Sequence, residues 1–403
     1  MPRRGTVVAG LTAFLISATA CWGADIRGRS STQLFWYDDY LTGRQAELAQ
    51  YMRIGVTNID KEKRMSVYGY GRGSQDFTGG DGLSGRLYYL YGEYRDIYDT
   101  LDLRLGRQFV NLSAGSAIID GGQVDVKGIG PVLLTVMGGR DVIFGANTEL
   151  GPPRIVFGTS IALAGFRNTD LDFSWLAKWR DGDARDLYGA SFKQYLFDSI
   201  KLYGNAQYDS VGTVFNQALA GVKYFPTANT ILTGEYYQSY PVFDTDSIYS
   251  VFAVNRYQEG VLRADYTINE QVSVNAGYNR QDYGDDAQAD VFQLGCTIRP
   301  TSKLTVDLAY DHRNGYGGGH NGGLVDVTWD ATTALQLSGG LAVDAYDRSF
   351  FPSSSGNETA QRYWLGGRYR LAKSMSASLR LEENINASYA SNLNGRFIFN
   401  YDF

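Results

Sequence analysis

The sequence predicts an all-β fold, a transmembrane antiparallel β-barrel of about 20 strands, with roughly 18 to 22 as the range. Three observations lead to this prediction. Apolar and polar residues alternate through most of the chain, in segments of about ten residues. Short turns alternate with longer polar connections. The final segment has one wholly aromatic face and one mostly polar face.

The N-terminus has the pattern of a secretory signal peptide. Arg3 and Arg4 precede an uncharged stretch over residues 5–20, and small residues follow near Gly23. We therefore expect residues 1–23 to be a signal peptide and residues 24–403 to form the barrel. A lipoprotein signal ending at Cys21 is an alternative, although Ala18 stands where such signals usually have Leu or Val.

The composition suits strands that face lipid on one side and water on the other. The chain has 30 Tyr, 20 Phe and 48 Gly but only 8 Pro. After residue 24, no segment approaches the run of about 20 apolar residues that a transmembrane helix needs. A net charge of −6 without a basic block argues against nucleic acid as a partner. Beyond the signal peptide only Cys296 remains, and we expect no metal and no cofactor.

The alternation places charged residues on the face that would meet water inside a barrel. Leu101, Leu103 and Leu105, for example, alternate with Asp102 and Arg104. We expect such residues to line a wet, charged lumen, where they could set ion preference or simply be hydrated. The candidate pore-lining residues are Asp102, Arg104, Asp172, Lys178, Lys201, Arg263, Asp265, Asp307, Arg380 and Glu382.

Ten short turns are expected at one end of the barrel, which by analogy with outer-membrane barrels is the periplasmic end. They lie near residues 60–61, 98–99, 128–131, 166–168, 197–199, 226–229, 269–271, 300–302, 330–332 and 372–374. Longer Gly-, Asp- and Ser-rich loops are expected at the other end. The stretch from Asn111 to Pro153 fits this pattern least, and we expect it to hold an inward-folded loop or a short strand pair.

The C-terminal segment resembles the closing strand of bacterial outer-membrane β-barrels. Phe397, Phe399, Tyr401 and Phe403 alternate with mostly polar residues, and in those proteins a terminal Phe ends the last strand. The resemblance implies an assembly signal that the barrel assembly machinery recognises. It also implies that this strand pairs with the first one, near residues 32–37, because an unpaired sheet edge is not tolerated in hydrocarbon.

Clusters of aromatic residues near the inferred strand ends predict girdles at the membrane surface. They comprise Trp36, Tyr37, Tyr40, Tyr88, Tyr89, Tyr91, Tyr94, Trp175, Trp179, Tyr236 and Tyr237. An alternative is a sugar-stacking track inside the pore, as in maltoporin-like channels, to which Tyr88 and Tyr203 could contribute.

Catalysis is not expected. A nucleophile needs a base, usually His, and the two histidines are His312, beside charged residues, and His320, within a glycine-rich loop. The chain has no Gly-x-Ser-x-Gly motif. We therefore expect that the protein is not an enzyme.

The chain from residue 24 onward resembles Gram-negative outer-membrane porins, and Leu103–Phe109 resembles a Gly-Arg-Gln strand common in porin-like proteins. This resemblance implies an integral, multi-pass barrel in the cell outer membrane that lets ions or small hydrophilic solutes pass. In size and in this strand, the chain also resembles the barrel component of porin–cytochrome conduits. That second resemblance implies a sheath around a multihaem c-type cytochrome. Expected partners are outer-membrane lipid, the assembly machinery, and either such a cytochrome or further copies of the chain.

The two functions predict different lumens. A diffusion channel is expected to have a loop folded inward and an acidic cluster facing a basic wall, to which Asp244 and Asp246 could contribute. A sheath is expected to have a wide, unobstructed lumen.

Overall fold

The structure is a computed structural model that describes residues 23–39, 43–78, 82–144, 151, 154–180, 183–240, 256–347 and 357–403. Within these ranges the chain forms 22 β-strands. The same ranges contain no helix that is long and apolar enough to cross a membrane. Apart from Gly23, the predicted signal peptide lies outside the described residues.

The strands are 10 to 16 residues long, which is enough for a tilted strand to cross a bilayer. The first eleven are β1 (Asp25–Asp39), β2 (Gly43–Thr57), β3 (Met65–Asp76), β4 (Ser84–Ile97), β5 (Leu101–Leu112), β6 (Gly115–Ile129), β7 (Val132–Asp141), β8 (Ile155–Phe166), β9 (Thr169–Arg180), β10 (Asp183–Leu196) and β11 (Ile200–Asp209). The others are β12 (Val214–Thr227), β13 (Thr230–Ser239), β14 (Tyr257–Thr267), β15 (Val272–Asp282), β16 (Gln288–Thr301), β17 (Leu304–Gly315), β18 (His320–Asp330), β19 (Leu335–Asp347), β20 (Asn357–Ala372), β21 (Met375–Ile385) and β22 (Asn392–Asp402).

Each strand pairs antiparallel with the next along the chain, and β22 pairs antiparallel with β1. The closing register aligns Arg29 with Asp402 and Trp36 with Gly395, so the contact covers the predicted partner near residues 32–37. The sheet is therefore a closed barrel, in which every strand has a neighbour on both sides.

The strand number corrects the expected count of about 20. Each of the ten predicted short turns overlaps an observed connection, from the turn between β2 and β3 to the turn between β20 and β21. Those ten turns account for twenty strands only. The remaining two, β1 and β22, are joined to each other by hydrogen bonds and not by a turn, so counting turns misses them.

The two faces of the barrel wall differ in chemistry. Leu262, Leu294 and Leu365 are 64%, 57% and 67% exposed, and they lie on the mostly apolar faces of β14, β16 and β20. Their immediate chain neighbours, such as Arg263, point to the opposite face. Exposed apolar side chains on the outer face, around a polar inner face, are the arrangement of a barrel that lies in a bilayer.

The closing strand presents Phe397, Phe399 and Tyr401 on this apolar outer face. Phe403 continues the pairing beyond β22, since its amide donates to the Gly28 carbonyl (3.0 Å) and its carbonyl accepts from the Gly28 amide (2.8 Å). Inside the barrel, the Arg29 guanidinium donates to both carboxylate oxygens of Asp402, at 2.6 and 3.1 Å. The predicted assembly role of these aromatic residues stays a prediction.

Gly28 provides a test of closure, because the Phe403 ring lies directly over it. A Cβ at this position would overlap that ring and lie 2.6 Å from the Arg53 carbonyl oxygen. We expect Gly28→Ala to destabilise the barrel by about 1–3 kcal/mol, a typical cost of overpacking. The measurement is the temperature at which the folded band disappears on unheated gels.

Gly260→Ala is the matched control, because nothing lies within 4 Å of a Cβ there. Equal melting temperatures for the two variants would contradict the closing geometry.

Candidate functional site

All ten predicted pore-lining residues lie on the inner face of the wall. The strand register and the exposed leucines on the opposite face establish this placement. The residues are spread around the circumference on β5, β9, β11, β14, β17 and β21, so they do not form one site. Their effect on ion passage stays a prediction.

Several of these residues have partners on the inner face, on the same strand or on nearby strands. Asp102 pairs with Lys127 at 2.8 Å, Lys178 lies 3.7 Å from Asp141, and Arg380 donates to Glu382 at 3.1 Å. Asp307 accepts from the Thr297 hydroxyl at 2.5 Å. The Lys201 ammonium lies over the rings of Tyr195 and Tyr203, at 5.7 and 5.3 Å from their centroids.

Arg104 belongs to an enclosed group of ion pairs that is centred on Glu93. Its carboxylate is 3% exposed and accepts from Arg95 at 2.6 Å and from Arg104 at 2.8 Å. Two guanidinium groups therefore neutralise one buried charge, which is the condition under which such a charge is tolerated. Arg104 serves this pairing and is not a free cation in the lumen.

The tip of the hairpin formed by β5 and β6 folds into the barrel. β5 pairs with β4 only as far as Arg107, just beyond Gly106, whose φ is +126°. The tip residues then reach β9, where the Ser174 hydroxyl accepts from the Ala114 amide and contacts the Ser113 hydroxyl, both at 2.7 Å. Ser174 lies on the inner face, so the tip occupies the lumen.

Arg107 bridges the point where the hairpin leaves the wall. Its guanidinium donates to both carboxylate oxygens of Asp120 at 2.7 Å and to the Leu87 carbonyl of β4 at 3.2 Å. The side chain thereby connects the outer face of β5 and β6 to β4 beyond the last backbone pair.

An apolar cluster holds the hairpin tip against the inner wall. Ala114, Ile119 and Leu176 are fully buried, and Met137 and Val156 are nearly so. Burial of this kind stabilises by roughly 1.5–3 kcal/mol for each large side chain. The inward fold expected between residues 111 and 153 is thus present, whereas Asp244 and Asp246 lie outside the described residues.

A second feature of the inner wall is a group of tyrosines on β2, β3 and β4. Tyr70 stacks on Tyr88 with ring centroids 4.9 Å apart and lies 5.7 Å from Tyr89 and 6.4 Å from Tyr51. Tyr91 follows at 5.8 Å from Tyr89. Rings at these separations form one continuous aromatic surface.

This arrangement corrects the expectation that Tyr88, Tyr89 and Tyr91 belong to an outer girdle. They share the inner face with Glu93, and a register shift opposite Tyr70 brings Tyr88 to that face as well. The alternative placement of Tyr88 and Tyr203 inside the lumen is the one observed, and the Tyr203 hydroxyl donates to Glu235.

The tyrosines border a recess of about 1140 Å³ in the inner wall. Its lining includes Arg27, Arg53, Tyr68 and Arg396, besides three of the rings already described. The recess lies towards the end of the barrel at which β1 begins and β22 ends, because Arg27 is the third residue of β1. Sequence reasoning missed it because the residues come from five strands.

The two histidines lie near the other end of the barrel. His320 contacts Asp311 at 2.8 Å and Asp344 at 3.1 Å, one carboxylate on each ring nitrogen. His312 contacts Asn321 at 2.9 Å. Within the described ranges, no group of three or more potential ligands could hold a metal ion.

Comparison with known proteins identifies the fold. No family model and no curated protein matches the sequence. Among solved structures, the P pilus usher translocation pore PapC has a TM-score of 0.51 at 9% identity, covering 94% of this chain and 99% of that chain. OccAB3 of Acinetobacter baumannii has a TM-score of 0.48 at 11% identity, covering 94% and 99%. OprD of Pseudomonas aeruginosa has 0.47 at 11%, covering 94% and 95%. At such identities the likeness concerns the fold alone.

Gly189 allows a test of the inward hairpin. A Cβ at this position would overlap the backbone of Ser113 and Ala114, so the tip can pack there only against a glycine. We expect Gly189→Val to lift the tip from the wall and to increase single-channel conductance in a planar bilayer, because more of the lumen becomes accessible to ions.

Gly277→Ala is the control, since its Cβ would make ordinary contacts with the inner-face residue Gln293, the nearest at 3.4 Å. Unchanged conductance in a folded Gly189→Val barrel would show that the hairpin tip does not narrow the pore.

Proposed function

We propose that this protein is an outer-membrane channel through which ions or small hydrophilic solutes pass by diffusion. The observation that carries the proposal is the closed barrel itself, with an apolar outer face and a charged inner face. Barrels of about 16 to 18 strands already enclose an aqueous channel, and one with 22 strands is wider. The P pilus usher, described as a translocation pore, is one protein that shares the fold.

The inward hairpin favours the channel over a sheath around a multihaem cytochrome. Ser113 and Ala114 occupy lumen space and are held to β9 on the inner wall by hydrogen bonds and apolar packing. A sheath would need that space for its partner. A fixed obstruction instead restricts the cross-section, as a diffusion channel requires if it is to discriminate by size or charge.

The charges on the inner face are unevenly distributed. Arginines dominate the sector from β20 through β22 to β2, including Arg27, Arg53, Arg368 and Arg396. Aspartates dominate the sector from β17 to β19, including Asp307, Asp311, Asp326 and Asp344. An ion in the lumen therefore experiences a different potential beside each sector.

The outer face supports insertion into the outer membrane, with lipid as its immediate environment. We propose that the aromatic residues of β22 serve as the signal for the barrel assembly machinery. Closure between β22 and β1 is then the last step of insertion, because it removes the two remaining sheet edges.

Planar-bilayer recordings of the purified chain test the channel. We expect discrete conductance steps without any partner protein. Arg396→Gln should shift the reversal potential in a salt gradient towards cation preference, because the variant removes one positive charge from the basic sector.

Arg280→Gln is the matched control, since Arg280 lies on the outer face and pairs with Asp290 at 2.5 Å. Absence of any step from correctly folded protein, or equal reversal potentials for both variants, would contradict the proposal.

A further inference from the structure

A histidine lies between two carboxylates on the inner wall, at the end of the barrel opposite the ten short turns. His320 is the first residue of β18. Its Nδ1 lies 2.8 Å from the Asp311 carboxylate of β17, and its Nε2 lies 3.1 Å from the Asp344 carboxylate of β19. Asp311 is four residues after Asp307 and therefore shares its inner face. One imidazole thus links three neighbouring strands on the lumen side of the wall.

Gly322 lets the two carboxylates approach each other. It is directly opposite Asp311 in the register of β17 with β18, and directly opposite Asp344 in the register of β18 with β19. A Cβ at Gly322 would lie 2.5 Å from Oδ1 of Asp311 and 3.0 Å from Oδ1 of Asp344. Both carboxylates therefore reach the same point above the glycine, where their negative charges repel each other unless a positive charge lies between them.

The number of protons on His320 decides how many of its two contacts are favourable. An imidazolium has two N–H donors and can donate to both carboxylates. A neutral imidazole has one N–H only, so its other nitrogen directs a lone pair at a carboxylate oxygen. Protonation therefore joins the three side chains, and loss of the proton leaves one carboxylate without its donor.

Water reaches this group, because the His320 side chain is 29% exposed and borders a cavity of about 410 Å³. The other charged or titratable side chains that β17, β19 and β20 bring near it are Arg313, Tyr346, Asp347 and Glu358. Arg313 is directly opposite His320, but its guanidinium donates to the Tyr283 hydroxyl at 3.1 Å and to the Tyr316 carbonyl at 3.0 Å. That cation is therefore held by other groups.

We propose that His320 is a specificity-determining residue of the channel, which sets the preference between cations and anions according to pH. Histidine is the side chain whose charge commonly changes between about pH 5 and 8. When His320 loses its proton, the acidic sector from β17 to β19 gains one net negative charge and attracts cations more strongly. The proposal rests on the channel function and adds a regulation to it.

The second histidine provides an internal control. The chain has two histidines, and His312 lies directly opposite Phe292 and stacks on its ring with centroids 6.4 Å apart. Phe292 is 50% exposed and shares the apolar outer face with Leu294, two residues further along β16. His312 therefore lies on the outer face, and His320 is the histidine whose charge acts on the lumen.

The experiment measures the reversal potential of the purified chain in a planar bilayer under a KCl gradient at pH 8 and pH 5.5. The salt concentration is kept low, because salt screens the charge. Ordinary carboxyl groups are still largely ionised at pH 5.5, so the comparison isolates histidine. We expect the preference for K⁺ over Cl⁻ to fall about two- to threefold on acidification, the effect of one unit charge on an ion that passes within about 7 Å in water.

Two substitutions fix the charge at this position. His320→Gln remains neutral and should show, at both pH values, the preference of the wild type at pH 8. His320→Arg remains positive and should show, at both pH values, the preference of the wild type at pH 5.5. His312→Gln is the matched control and should respond to pH as the wild type does.

An equal response to pH in His320→Gln and in the wild type, or no response in the wild type, would overturn the proposal while leaving the channel function intact. If the protein shows no current at all, the channel function fails. Nitrogen NMR of the histidine-labelled barrel in detergent then tests the charge by itself, with His312→Gln leaving the His320 signals alone. An imidazolium at pH 5.5 that becomes neutral at pH 8 supports the proposal, and an unchanged protonation state overturns it.

Discussion

The backbone hydrogen bonds between β22 and β1 are the constraint on which the rest of the structure depends. In hydrocarbon no water can pair with an unpaired amide or carbonyl, so each strand needs a neighbour on both sides. The closing contact joins Arg29–Trp36 to Gly395–Asp402, over 350 residues apart in sequence. It continues on one side to Phe403 and Gly28, where only a glycine leaves space for the terminal ring.

Closure determines where every other side chain lies. Once the sheet is a cylinder, alternate residues of each strand face either lipid or lumen, and neither face can be exchanged for the other without shifting the register of a whole strand. Charged groups then lie inside the barrel. Glu93 is one of them, and Arg95 and Arg104 neutralise its charge. The inward hairpin adds an obstruction that the cylinder alone would not have, held by Ser174 and an apolar cluster.

The recess around Tyr70 is a site that the alternation of apolar and polar residues along the sequence does not predict. Tyrosine is amphipathic, so it occurs both in girdles at the membrane surface and on inner walls that face water. In Tyr68-Gly69-Tyr70-Gly71-Arg72 the glycines provide no apolar face, so this run lacks the apolar–polar alternation that marks a membrane-spanning strand. A register shift opposite Tyr70 brings both Tyr88 and Tyr89 to the inner face, whereas strict alternation would place only one of two successive residues there.

By itself the sequence determined the fold class, the location of all ten short turns and the inward orientation of charges such as Asp102 and Arg104. Those properties depend on the alternation of neighbouring residues, which is local and therefore readable along the chain. Only the tertiary structure decided the number of strands, the contact of the β5–β6 tip with β9 and the assembly of the recess. They depend on which distant segments become neighbours when the barrel closes, as Arg396 does with Gln33 and Arg53 with Tyr70.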